Sequence, residues 1–233
     1  MDLFESLNSF CLAHLNETND WYTWKIDESK IPIDIKLPKG NQYLKNISLK
    51  EELHKAWEFE SDIKKKKEII KYYIKDWGGI ASNSEYSMND YTTHSPDFLI
   101  AKGKKGIASW SKALVIHNPE KYAIFDARVS ISLNCLQIVY DIKDKILFPN
   151  LGSRNKTVSE GQKKISQISK QDNWQKVNKS TFYIDYLQLL RNVGNSRKNS
   201  IATVEMLLFA KAEMLVNETR ILLNRHTGSG NFF

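Results

Sequence analysis

Apolar side chains recur at three- and four-residue spacing along most of this chain, and that period commits it to helices packed on helices. Leu3, Phe4, Leu7, Phe10, Cys11 and Leu15 set the pattern and predict an amphipathic helix over residues 2–17. Leu53, Ala56 and Trp57 predict a second over 49–60. Ile63, Ile69, Ile70, Tyr73 and Ile74 predict a third over 62–76, stopped by Gly78 and Gly79. Further helices are expected over 96–102, 109–117, 126–142, 157–170, 180–193 and 199–224. The pattern lapses over 20–38, where aromatics, prolines and a short isoleucine alternation read as extended segments or a docking loop. Residues 80–95, rich in Ser, Asn, Asp and Thr, read as a loop. Residues 143–156 read as a basic loop around Pro149 and Gly152. The expected fold is all-α, with an N-terminal helical and extended portion over 1–80, a helical core over 81–226 and a flexible tail over 227–233.

Composition bounds the function more than the fold. At 233 residues, 41% hydrophobic and 26% charged, the chain is an ordinary globular protein long enough to bury a substantial core. Its formal charge of +7 favours a polyanionic partner, of which nucleic acid is the commonest. Cys11 and Cys135 cannot make a disulfide framework. The start, MDLFESLNSF, lacks the basic region of a signal peptide, and no window approaches the ~20 apolar residues of a membrane span. The expectation is a soluble, cytoplasmic protein with no membrane partner.

The stretch Gly106–Leu136, GIASWSKALVIHNPEKYAIFDARVSISLNCL, carries the chemistry. It reads as two short helices joined by a turn. The first is expected to begin after the hydroxyls of Ser109 and Ser111, with Lys112 in its opening turn. The second opens at Asp126, whose carboxylate suits an N-cap. A lysine amine can attack an anomeric carbon once burial or a helix dipole lowers its pKa, and a carboxylate stabilises the positive charge that develops on the sugar.

At these residues the sequence resembles the helix-hairpin-helix DNA glycosylase superfamily, more particularly bacterial proteins with an 8-oxoguanine glycosylase fold. Ser111-Lys112-Ala113 matches the turn bearing the superfamily's catalytic lysine. Phe125-Asp126-Ala127-Arg128-Val129 matches the turn bearing its catalytic aspartate, with Arg128 where histidine is common. The likeness continues into Tyr183-x-x-Tyr186 and Val204–Phe209, and covers the C-terminal half. The superfamily's hairpin, Leu-Pro-Gly-x-Gly, falls at Lys105–Trp110, where Gly106 alone remains. Lys112 and Asp126 stand 14 residues apart, about one helical turn closer than is usual there.

The resemblance implies a two-lobed helical fold and excision of a damaged or modified base from double-stranded DNA, with no metal or organic cofactor. Asp126 would stabilise the oxocarbenium ion and Lys112 would form a Schiff base. Lys102, Lys104, Lys105, Arg128, Arg154 and Lys156 would hold phosphates around an extruded nucleotide. Trp77, Trp110, Tyr122 and Trp174 are candidate stacking surfaces for the flipped base.

Two other readings compete. One is a basic module that binds DNA or a protein partner without chemistry. The other is a metal-dependent nuclease, in which Asp34-Ile35-Lys36 on a strand, with Asp20 or Asp27 upstream, would hold Mg²⁺. The five histidines show no metal-ligand spacing, and the chain has no glycine-rich phosphate loop.

Overall fold

The structure is a computed structural model, and it describes residues 1–15 and 18–228. It is mostly helical, as the periodicity requires. In chain order the helices are α1 (Leu3–His14), α2 (Gln42–Phe59), α3 (Ile63–Lys71), α4 (Glu85–Thr93), α5 (Pro96–Ala101), α6 (Ile107–His117), α7 (Ala127–Val139), α8 (Lys156–Gln171), α9 (Phe182–Arg197), α10 (Ile201–Ala210) and α11 (Ala212–Gly228). Short polar side chains start many of them. Asp2, Asn41, Asp62, Ser84, Ser95, Asp126, Asn155 and Ser200 each accept a hydrogen bond from a backbone N–H in the first turn that follows.

Several boundaries differ from the sequence reading, each for a local reason. Residues 80–95 are not all loop. Ser84 caps α4, which buries Met88, Tyr91 and Thr92 despite its polar composition. The helix expected over 199–224 is two, because Lys211 departs from helical geometry between α10 and α11. The third helix ends as a single π turn, Tyr72–Trp77, ahead of Gly78 and Gly79. Residues 20–38 form no strand; a 3₁₀ turn, Glu28–Lys30, is their regular element. The two short parallel strands lie elsewhere, β1 (Ile146–Leu147) beside β2 (Gln175–Lys176). The tail read from Thr227 is helical through Gly228, and residues 229–233 lie outside the described residues.

The helices form two groups around one continuous core. In one, α2, α3, α4 and α5 gather against α6 or one another. In the other, α7 is central: α1, α8, α10 and α11 pack on it, and α9 on α1 and α10. The division expected at residue 80 therefore does not coincide with the groups, since α1 belongs with the C-terminal helices. The chain between α7 and α8 is not left to wander. Asn134 exchanges a pair of hydrogen bonds with the backbone of Phe148, and Gln137 does the same with Ile146. Both amides are buried and so stand in for a strand partner. That grip sets where residues 150–155 emerge, beside the start of α7.

Candidate active site

A cleft of about 720 Å³ opens where the two groups meet. From the first group and the turn after it come Trp77, Gly78, Gly79 and Lys112; from the second and the segment before α8 come Asp126, Arg128, Arg154, Asn155, Glu205 and Phe209. Trp24, from the segment between α1 and α2, lies between Trp77 and Phe209. The lysine and the aspartate that the sequence singled out thus face one cavity.

Lys112 reaches it from inside a helix. A tight turn, Lys102–Gly106, joins α5 to α6, and both Gly103 (φ 56°) and Gly106 (φ 71°) take left-handed backbone there. The sequence reading found only Gly106; the second glycine lies three residues earlier, in a Gly-x-x-Gly spacing rather than Gly-x-Gly. Trp110 anchors this hairpin by sharing its indole N–H between the Gly103 and Lys105 carbonyls, at 3.2 Å each. Because α6 starts at Ile107, Lys112 sits in its second turn, not its first. Its Nζ donates back to the Ala108 carbonyl at 3.0 Å, and the side chain is only 4% exposed. Gly78 leaves room for it, since a Cβ there would meet Lys112 Cε at 2.7 Å.

Desolvation, more than the helix dipole, therefore acts on this amine. Burial pulls the Lys112 pKa below its ordinary 10.5; the Asp126 and Glu205 carboxylates oppose that, and the Lys50 ammonium adds to it.

Asp126 is held from two sides. Its Oδ1 accepts from the N–H groups of Arg128 (2.9 Å) and Val129 (3.1 Å), so it is the N-cap the sequence predicted. The extended run before it is pinned by α9, where Tyr183 donates to the Ala123 carbonyl (2.9 Å) and Tyr186 to that of Ile124 (2.8 Å). Phe125 N–H donates to Ser111 Oγ at 3.0 Å, which ties the residue before Asp126 to the residue before Lys112.

The other expected site residues divide. Trp77 lines the cleft, its ring stacked on Tyr73 and its N–H on Asn46 Oδ1 at 2.8 Å. Trp110 is wholly buried as the hairpin anchor, and Tyr122 and Trp174 lie outside the cleft lining, so these three offer no stacking face there. Arg128 and Arg154 are at the cleft; Arg154 donates to the Gly79 carbonyl at 2.7 Å across its mouth. Lys104 and Lys105 project from the hairpin into solvent. Lys102 turns away, bonded to the buried Asp90 at 2.7 Å. Lys156 is exposed at the start of α8.

Sequence reading missed the floor of the cleft. Glu205, on the otherwise uncharged α10, is 2% exposed and accepts from the equally buried Lys50 at 3.0 Å. Burial raises its pKa, and Lys50 opposes that. Phe209 stands one turn further along the same face, edge-on to Trp24. A single glutamate in the run IATVEMLLFA was the available signal: a charge on such a helix needs a buried partner.

Among the described residues no three His, Cys, Asp or Glu side chains cluster as metal ligands. Asp34 and Lys36 fall in irregular backbone outside the cleft, not on the strand a nuclease reading calls for. No helix among the described residues is long and apolar enough to cross a membrane. Compared with protein-family models, curated proteins and solved structures, the chain matches none.

Proposed function

We propose that this protein is a DNA glycosylase that excises a damaged or modified base. The observation that carries this reading is a desolvated lysine amine lining the same cleft as a helix-capping aspartate. The α5–hairpin–α6 arrangement, with its two left-handed glycines and exposed Lys104 and Lys105, supports the resemblance noted in the sequence and offers a place for backbone phosphate.

In this mechanism the neutral Lys112 Nζ attacks C1′ of an extruded nucleotide. The N–C1′ bond forms as the glycosidic bond breaks, and the base leaves with the bonding pair and takes up a proton. The Asp126 carboxylate stabilises the positive charge on the sugar as it develops. Opening of the sugar ring then gives the imine. The aromatic rings of Trp24, Trp77 and Phe209 furnish apolar cover for a base drawn out of the stack.

The test is incubation with a panel of duplexes bearing single modified bases, scored for free base and for borohydride-trapped adduct. Release that is lost in Lys112→Gln and Asp126→Asn is expected. Duplex binding without release from any panel member would make the protein a non-catalytic DNA-binding module instead.

A further inference from the structure

Two residues at the rim of the cleft already hold an anion, and it belongs to the protein. Glu213, in the first turn of α11, places Oε1 at 2.8 Å from an Arg128 guanidinium nitrogen and at 3.0 Å from Asn155 Nδ2. Arg128 comes from the first turn of α7 and Asn155 caps α8, so side chains from the starts of two helices meet on this carboxylate. Arg128 is also steadied from behind, its guanidinium lying over the Phe209 ring at 5.1 Å. Both donors line the cleft, whereas Glu213 approaches them from outside its lining.

We infer that Arg128 and Asn155 form a phosphodiester site at the cleft rim, which Glu213 fills in the free protein and a backbone phosphate of the bound strand takes over. This rests on the reading that a nucleic-acid strand enters the cleft. A phosphate offers the same oxygen acceptors as the carboxylate and can engage a guanidinium through two parallel hydrogen bonds. The Glu213 side chain is 45% exposed, and ion pairs that open to water hold only weakly, so the exchange is cheap. Arg154, the neighbour of Asn155, already spans the mouth to Gly79 and adds a second cation beside the entering strand. The internal carboxylate would keep the guanidinium aimed at the cleft while no strand is present. It would also weaken binding to anions too small to bring further contacts.

The experiment measures affinity of the full chain for a short duplex carrying a tetrahydrofuran abasic site, across a salt series. Glu213→Gln is expected to tighten binding about fivefold at low salt, the upper range for an exposed ion pair. Asp172→Asn removes the same charge at the far end of α8, roughly 24 Å from Asn155, and is expected to change affinity less than twofold. Arg128→Gln should reduce the slope of log affinity against log salt by about 0.9, the share of one phosphate contact. Adding it to Glu213→Gln should cancel the gain. Unchanged or weaker binding by Glu213→Gln, an equal gain in Asp172→Asn, or an unaltered slope in Arg128→Gln each overturns the inference. These readouts are independent of base release, so a protein that behaves this way yet frees no base keeps the site and loses the proposed activity. A protein that binds no duplex loses both.

Discussion

Lys50 on α2 and Lys112 on α6 are both withdrawn from water, and their surroundings differ in one respect. Lys50 ends 3.0 Å from the Glu205 carboxylate. Lys112 ends 3.0 Å from a backbone carbonyl, with its carboxylate neighbours acting only through space. A buried lysine with an acid bonded to it has a partner for its side chain. One that has lost its water and gained only a carbonyl is pushed toward the neutral amine, the form with a lone pair to give. Under the proposed function the same residue type is a fixture in one place and a reagent in the other, and what separates them is an anion within bonding distance.

The sharpest way to break this comparison is to delete each lysine. Lys50→Met leaves Glu205 buried without its partner and should cost about 3–5 kcal/mol of stability, read from urea denaturation midpoints. Adding Glu205→Gln should recover most of that loss. Lys112→Met should instead be neutral or stabilising near pH 7. The sign follows from the lowered pKa: between that value and 10.5 the unfolded chain binds the extra proton, so stability rises with pH across that window. The advantage of Lys112→Met should therefore shrink as pH rises and vanish near 10.5. Equal losses in the two single variants would show that Lys112 is as structural as Lys50.

Next in size is Asp126→Asn. Asparagine still caps α7, so stability should move by less than about 1 kcal/mol. Base release should fall by a factor of ~10² or more, because the charge facing the cationic transition state is gone. Retained release would reduce Asp126 to a cap. A smaller effect sharpens the reading of Lys112 itself: borohydride trapping should rise with pH through its lowered pKa and level off below 10.5, whereas an amine like a free lysine would still be climbing there. Smallest of all, Lys104→Ala and Lys105→Ala should each flatten the salt dependence of duplex binding by about 0.9, and Lys102→Ala by less because Asp90 already holds it.

How much of this was legible beforehand depended on whether the signal was local. Helix period and the Asp126 cap are short-range patterns and read correctly to within a few residues, whereas α6 begins at Ile107, ahead of the expected start, and so carries Lys112 in its second turn. Trp110 was misassigned to the pocket because an aromatic on α6 looks the same whether its face meets solvent, base or core; only the packing of α5 and α9 decides it. Glu205 and Lys50 are 155 residues apart, and no spacing rule joins them. The second hairpin glycine was overlooked because the turn is one residue longer between glycines than the pattern sought. The packing of α1 was hidden for a related reason, since it finds its partners nearly 200 positions downstream, where Ser196 and Arg197 bond Asn8.

The two tyrosine hydroxyls of α9 have a consequence for how this chain can vary. They suspend the Ala123–Phe125 run from above, so the location of Asp126 is dictated by α9 and not by the length of chain leading out of α6. The turn at residues 119–121, exposed at Glu120 and Lys121, is thereby decoupled from the Lys112–Asp126 spacing. Residues can be gained or lost there while the carboxylate stays registered against Lys112. A Lys112–Asp126 separation longer or shorter by a few residues would then need no rearrangement of the cleft.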